Sequence, residues 1–537
     1  MIHLIIIVSL TLFYLFSCYF ESKKREKKEI VIPSFTPEKD NTKEAENIKR
    51  YLDTQLKEKL GFEIDKEKAI AIAKIDKNLL LQSGAGSGKT TAIAYKIFYL
   101  IRKENINPKE IVVLAFNREA AKKLRIKTRK DFDLKEFQNS RTFHSLAYQI
   151  VKPKNKILFG SEMFKVIEKI IREEVVRKSN MTDSQITEIT ELFIQFIQRA
   201  KKSEMTSNDI QEEIKINYSS NRIYSFLSFA NEVYKQYEEY LVTTNRMDFD
   251  DLLNKATEMV YKSRGECAIN ITKDKRIKMN DLKYIFIDEF QDFSDLFYNL
   301  IYVIKKYNKN LKLWCVGDSN QAINGFAGSN LKYFNNFSKY FDNIGISNLS
   351  TNYRSKKVIV DASNRLMAGE EKQYFCHSSP ENNKGGQIII QYAQKDSNGY
   401  FLQGYLELCL EIITNNPNKS IAILYRKNEI EGMNLSAFCK QFEGLLGKKE
   451  SKRIEVSTIH KFKGREANIV IILQVCRKIF PLIHPYNTLF RIFRRLQEDI
   501  LSEEKRIFYV AITRAREKVY LLTETDNESE YIKLLIE

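Results

Sequence analysis

The stretch Leu79-Leu80-Leu81-Gln82-Ser83-Gly84-Ala85-Gly86-Ser87-Gly88-Lys89-Thr90-Thr91 decides the reading of this chain. An apolar run short enough to be a buried strand leads into a glycine-rich turn, and a helical pattern follows from Thr91 to Ile101. Glycines in such a turn let successive backbone N–H groups close around phosphate oxygens, and the helix N-terminus adds positive partial charge. Gly84, Ala85, Gly86, Ser87, Gly88, Lys89, Thr90 and Thr91 are therefore the expected nucleotide-binding residues. Lys89 is placed to reach the β and γ phosphates and Thr90 to ligate Mg²⁺. Ser83 stands where the strict pattern has its first glycine.

A second run, Tyr284-Ile285-Phe286-Ile287, reads as a strand buried on both faces and ends in Asp288-Glu289-Phe290-Gln291-Asp292. Ligands of open parallel sheets bind at the carboxyl ends of the strands, so Asp288 is expected on the metal and Glu289 on the attacking water. A third strand, Leu311 to Val316, brings Gln321 to the same edge as a neutral sensor of the γ phosphate. Arg354 and Arg514, from later segments, are candidate arginine fingers. Alternating strand and helix signals predict a doubly wound α/β fold, interrupted over residues 150–245 by long helical patterns.

Composition fits an ordinary globular chain of 537 residues with 43% hydrophobic and 29% charged residues. Its formal net charge of +18 points to a polyanionic partner, nucleic acid first. The seven cysteines are scattered without metal-binding spacing, which excludes a zinc cluster or a disulfide framework as the organising device. Leu4 to Phe20 is uncharged and almost wholly apolar, and at helical rise it spans about 26 Å. Lys23, Lys24, Arg25, Lys27 and Lys28 follow it, so a transmembrane anchor over residues 1–20 is expected, with everything after it in the cytoplasm. The alternatives are a cleaved signal peptide, a misassigned start that leaves a cytoplasmic protein, and a lipoprotein-like box at Leu15 to Cys18. Residues 21–48 read as a linker.

In order and wording these segments resemble superfamily 1 helicases of the UvrD/Rep type, most closely helicase IV-like members, from residue 60 to 525. The matching pieces include Gly84 to Thr91, Val113 to Ala121, Thr142 to Leu146, Asp248 to Leu252, Asp288 to Asp292, Gly317 to Gly328, Asn352 to Ser355, Ser457 to Glu466 and Glu503 to Arg516. The resemblance implies two RecA-like domains, the first over 49–149 and 246–345 with the helical insertion at 150–245, the second over 346–537. It implies an ATP- and Mg²⁺-dependent 3′ to 5′ motor on single-stranded or partly duplex DNA. It also implies that Tyr353 stacks on the base and that Glu466 meets the ribose. Phe116, Asn117, Arg118, Thr142, His144, Phe326, Thr458 and His460 are the implied contacts to the strand, with the aromatics as stacking platforms.

Two departures leave base selectivity open: Lys66 where an adenine-reading glutamine is expected, and Thr91 where many members carry an arginine. Only a short stretch separates Ile421–Tyr425 from Ile454–Thr458, where larger relatives insert a regulatory domain. The competing expectations are a membrane-tethered, nucleotide-gated DNA sensor that signals to an unidentified protein partner without processive unwinding, and a motor that runs on RNA.

Overall fold

The computed structural model describes residues 42–175, 181–218, 223–272, 274–325, 328–370, 375–427, 429–430, 433–434, 442, 444, 451–483, 490–493 and 497–536. Helix α1 (Thr42–Leu60) covers residues 42–48, which the sequence reading gave to a linker. Asp65 then caps α2 (Lys66–Ala73), its carboxylate accepting from the Lys68 N–H at 2.8 Å. After them come β1 (Asn78–Ser83), α3 (Lys89–Arg102), β2 (Ile111–Ala115), α4 (Arg118–Lys130), β3 (Ser140–Thr142) and α5 (Phe143–Val151).

The insertion is built from α6 (Ser161–Val175), α7 (Asp183–Lys202), α8 (Ser207–Asn217) and α9 (Tyr224–Thr243). Helix α10 (Phe249–Lys262), β4 (Tyr284–Ile287), α11 (Asp295–Tyr307), β5 (Lys312–Gly317) and β6 (Ile344–Leu349) complete the first half. Its sheet is parallel throughout, in the order β3-β2-β4-β5-β1-β6. It runs on to Leu349, past the expected boundary at residue 345.

Every residue of β2 and β4 is buried, which is what apolar runs with helices on both faces require. The period-2 alternation divides them. Leu80, Val112, Leu114, Ile285, Ile287 and Leu313 pack with Phe143, Leu252 and Leu300 on one face. Leu79, Leu81, Val113, Phe286 and Trp314 pack with Ile93, Ile97 and Leu100 on the other.

The second half carries α12 (Lys357–Met367), β7 (Gln387–Tyr392), α13 (Leu402–Thr414), β8 (Ile421–Tyr425), β9 (Ile454–Thr458), β10 (Ala467–Ile472), α14 (Gln497–Ile512), β11 (Ala515–Thr523) and α15 (Glu530–Ile536). Its sheet is again parallel, in the order β7-β11-β10-β8-β9.

One expectation is overturned. Among the described residues no helix is long and apolar enough to cross a membrane. The 20-residue helices α7 and α9 carry Glu188, Glu191, Arg199 and Lys201, and Glu232, Lys235 and Glu238, so their length serves amphipathic packing. Residues 1–20, where the transmembrane helix was expected, lie outside the described residues. The fold is therefore α/β, two parallel sheets with a helical insertion in the first half, and no described element supports a membrane attachment.

The insertion is tied to the start of α10 by a buried cation. Lys201 on α7 pairs with Glu238 at 2.7 Å, Asp248 at 2.7 Å and Asp251 at 2.8 Å. Removing one member of a buried charge cluster leaves the rest uncompensated. Lys201→Met is expected to cost about 3–5 kcal/mol, read as a lower urea midpoint.

Candidate nucleotide and nucleic-acid site

The parallel order puts the carboxyl ends of β1, β4 and β5 side by side, and the chemistry collects there. Between β1 and α3 the loop turns through Gly86 (φ 71°) and Gly88 (φ 84°), left-handed positions that suit glycine. A Cβ on Gly86 would also lie 2.7 Å from both Arg354 Cβ and Asn352 Oδ1. The loop is thus clasped from the second half, and Tyr353 N donates to Gly86 O at 3.0 Å. Lys89 Nζ lies 3.4 Å from Gly84 O, folded over the mouth of the loop, and Thr90 is half-buried beside it.

At the end of β4, Asp288 is buried and Glu289 holds a left-handed backbone (φ 54°). Burial and the Glu289 charge push the Asp288 carboxyl up against the pull of Lys89. Burial pushes Glu289 up as well, but Lys89, Lys463, the Gln291 amide and Arg514 outweigh it and hold it below the usual range. Glu289 is therefore a half-buried carboxylate that stays ionised, as a water-orienting group must.

At the end of β5, Gln321 donates to Asp318 at 2.7 Å and accepts from Arg514 Nη2 at 3.2 Å. Arg514 is 1% exposed, and its Nε donates to Val510 O at 3.0 Å. Burial and the Arg354 charge lower its pKa to about 9, which leaves it protonated at neutral pH. Lys463 crosses the same cleft to Asp292 at 2.7 Å and Gln321 O at 2.8 Å.

Arg354 points elsewhere: its Nε donates to Glu466 at 2.6 Å, and Arg516 binds the other oxygen of that carboxylate. The structure thus gathers Lys89, Thr90, Asp288, Glu289, Gln321 and Arg514 around the loop, while Glu466 holds Arg354.

At the base end two lysines of α2 differ in setting. Lys66 is exposed, whereas Lys68 is buried, with its Nζ 4.7 Å from the Tyr353 ring centroid. Asp65 was missed altogether. It pairs with Lys68 and accepts from Tyr353 OH at 2.9 Å. The signal was available: an aspartate just before a helix with an acidic first turn is an N-cap, and residue i+3 folds back over it.

The residues expected on a nucleic-acid strand lie under the neighbouring strands. Asn117 caps α4 after β2, accepting from Ala120 N at 2.8 Å, with Phe116 half-buried and Arg118 exposed. Thr142 caps α5 after β3. His144 stands edge-on to Phe249 at 5.0 Å, and Phe249 meets Phe159, half exposed, at 5.3 Å. This aromatic column was not foreseen beyond His144. Across the cleft, Thr458 caps the short helix Ile459–Phe462, which carries His460. Phe326 lies outside the described residues.

A family model described as the UvrD/REP helicase N-terminal domain matches residues 64–342, and one described as the UvrD-like helicase C-terminal domain matches 433–525. A "Probable DNA helicase" of Mycoplasma pneumoniae is 26% identical over 83% of this chain and 80% of its own length. "DNA helicase IV" of Escherichia coli is 25% identical over 87% of this chain and 69% of its own. "ATP-dependent DNA helicase PcrA" of Leuconostoc citreum is 26% identical over 68% of this chain, which spans about half of that relative, 47%.

Burial holds His144 and His460 neutral, each pKa lowered to about 4. Unfolding frees them to take up protons near 6.5, so each contributes stability that is lost as pH falls from about 6.5 towards 4. His144→Gln is expected to flatten that part of the stability–pH curve, measured by urea unfolding at half-unit intervals.

Proposed function

The chain belongs to the UvrD/Rep-type helicase family, a class of ATP-dependent DNA helicases, and on that premise we propose that it hydrolyses ATP in the cleft between its two sheets to drive 3′ to 5′ movement along single-stranded DNA. The observation that carries the reading is the reach of Arg514 from the second half to Gln321 on the first, at 3.2 Å, beside an ionised Glu289. A γ phosphate between them would exchange one polar network for another, and its loss would be felt on both sheets.

In this mechanism the loop N–H groups and Lys89 hold the β and γ phosphates. Glu289 orients the attacking water, and Arg514 stabilises charge developing on the transferred phosphoryl group. Tyr353 offers its ring to the base. The ribose competes for Glu466, which frees Arg354 to turn towards the phosphates as a second finger. Thr90 and Asp288 are hard oxygen donors that fit a magnesium ion, since Mg²⁺ on nucleotide sites uses few protein ligands and completes its shell with phosphates and water. When bound, the ion would neutralise charge on the β and γ phosphates.

The strand is read as running across the N-terminal ends of α4 and α5 and onto Thr458 and His460. Phe116, His144 and Phe326 would supply π faces, and Asn117, Arg118 and Thr142 polar and backbone contacts. Because the two rows lie on different sheets, cleft closure shortens the track between them, and reopening lengthens it.

Single-stranded DNA is expected to stimulate ATP turnover, with stimulation that fades as salt rises. Glu289→Gln is expected to lower turnover about 10²- to 10⁴-fold, and Lys89→Ala to weaken nucleotide binding. A flat response to DNA in the wild type would sink the proposal. Direction is read separately: a 3′ to 5′ motor displaces streptavidin from a biotinylated 5′ end, and displacement from the 3′ end alone would reverse the assignment.

A further inference from the structure

The base end of the cleft has an unusual set of polar groups. Asp65 has both oxygens engaged: Oδ1 by the Lys68 N–H at 2.8 Å, Oδ2 by the Lys68 ammonium and by Tyr353 OH at 2.9 Å. Glu67, the neighbouring carboxylate, is turned away and bound by the backbone N–H and hydroxyl of Ser350. Lys68 itself is buried, lies over the Tyr353 ring, and sits 3.5 Å from where a Cβ on Gly88 would be, so it stands between the aromatic platform and the phosphate loop. Thr91, 3.9 Å from the same point, brings only a short side chain.

A base stacking on Tyr353 therefore meets an ammonium, which has three donors and no acceptor. Adenine presents an acceptor at N7 and an amine donor at C6, so one of its two groups faces Lys68 donor to donor, while three donors of the protein already use most of the accepting capacity of Asp65. Guanine and hypoxanthine present two acceptors there, N7 and O6, the pair that lysine recognises in other settings. A site whose buried polar groups lack partners discriminates against that ligand.

We propose that Lys68, held by Asp65, reads position 6 of the purine, so that this site takes guanosine and inosine nucleotides at least as well as adenosine nucleotides. The inference rests on the reading above that the base stacks on Tyr353. ATP remains a substrate, bound through its phosphates and N7, without the exclusivity that an amide side chain at residue 68 would give.

The test is displacement of mant-ADP from the full chain by ADP, GDP and IDP, a binding measurement that needs neither DNA nor hydrolysis. The expected result is that GDP and IDP compete at least as well as ADP. Lys68→Gln, which restores an acceptor, is expected to shift the GDP-to-ADP affinity ratio towards ADP about ten-fold, whereas Lys68→Arg keeps the donors and the ratio. ADP binding ten-fold tighter than both competitors would overturn the proposal, as would an unchanged ratio in Lys68→Gln. Tight GDP with weak IDP would also overturn it, by assigning recognition to the 2-amino group. Hydrolysis of ATP, GTP and ITP with single-stranded DNA separates the two claims. DNA-stimulated turnover with adenine-only binding removes the base assignment alone, relaxed binding with no turnover removes the motor, and no binding of any nucleotide removes both.

Discussion

A guanidinium with 1% of its surface exposed sits between two sheets that share no strand, and the cleft is organised around keeping it charged. Arg514 donates to Gln321 and to its own Val510 carbonyl and feels the charge of Glu289, and Lys463 closes on Asp292 beside it. Such a cation loses its hydration on burial and is stable only while those partners remain. Gln321, Glu289 and Asp292 follow the strands of the first sheet, and Val510 lies in the helix that leads into β11, so elements of both halves converge on this contact. The same dependence lets one ligand alter the relation of the two halves. A polyanion inserted among Lys89, Arg514 and Lys463 replaces the contacts that now span the cleft.

Much of the nucleotide site was legible because its parts are contiguous with their supports. A buried apolar strand followed at once by a glycine loop, or by Asp288 and Glu289, carries both the chemistry and the edge that presents it. The same held for Gln321. What the sequence concealed depended on phase or on partners remote in the chain. Lys66 and Lys68 stand two residues apart, yet on a helix that is more than half a turn, enough to put one on the solvent side and the other in the cleft. Nothing local to Arg354 reveals that Glu466, 112 residues on, accepts from its guanidinium. The aromatic column of His144, Phe249 and Phe159 joins residues from both sides of the insertion helices and could be assembled only in space.

The apolar N-terminal run shows the opposite limit. Its composition suggested a membrane helix, but no described helix supplies one, and the long amphipathic helices of the insertion account for the longest helical patterns in the described fold. Hydropathy over one segment is a statement about that segment's solvent preference, not about the architecture to which it is attached.

The insertion's core is not wholly its own. Phe490 and Ile492, which follow β10 in the chain, are buried among Phe193, Phe196, Leu227 and Tyr237. The Arg199 guanidinium lies 4.1 Å from the Phe490 ring, and Phe493 meets Phe196 at 5.1 Å. A short strap from the second half is thereby plugged into the helices of the first. The second sheet can swing away only by carrying the helices with it or by drawing aromatic side chains out into water. Any rearrangement of the cleft would in this way be felt by helices built from a different part of the chain.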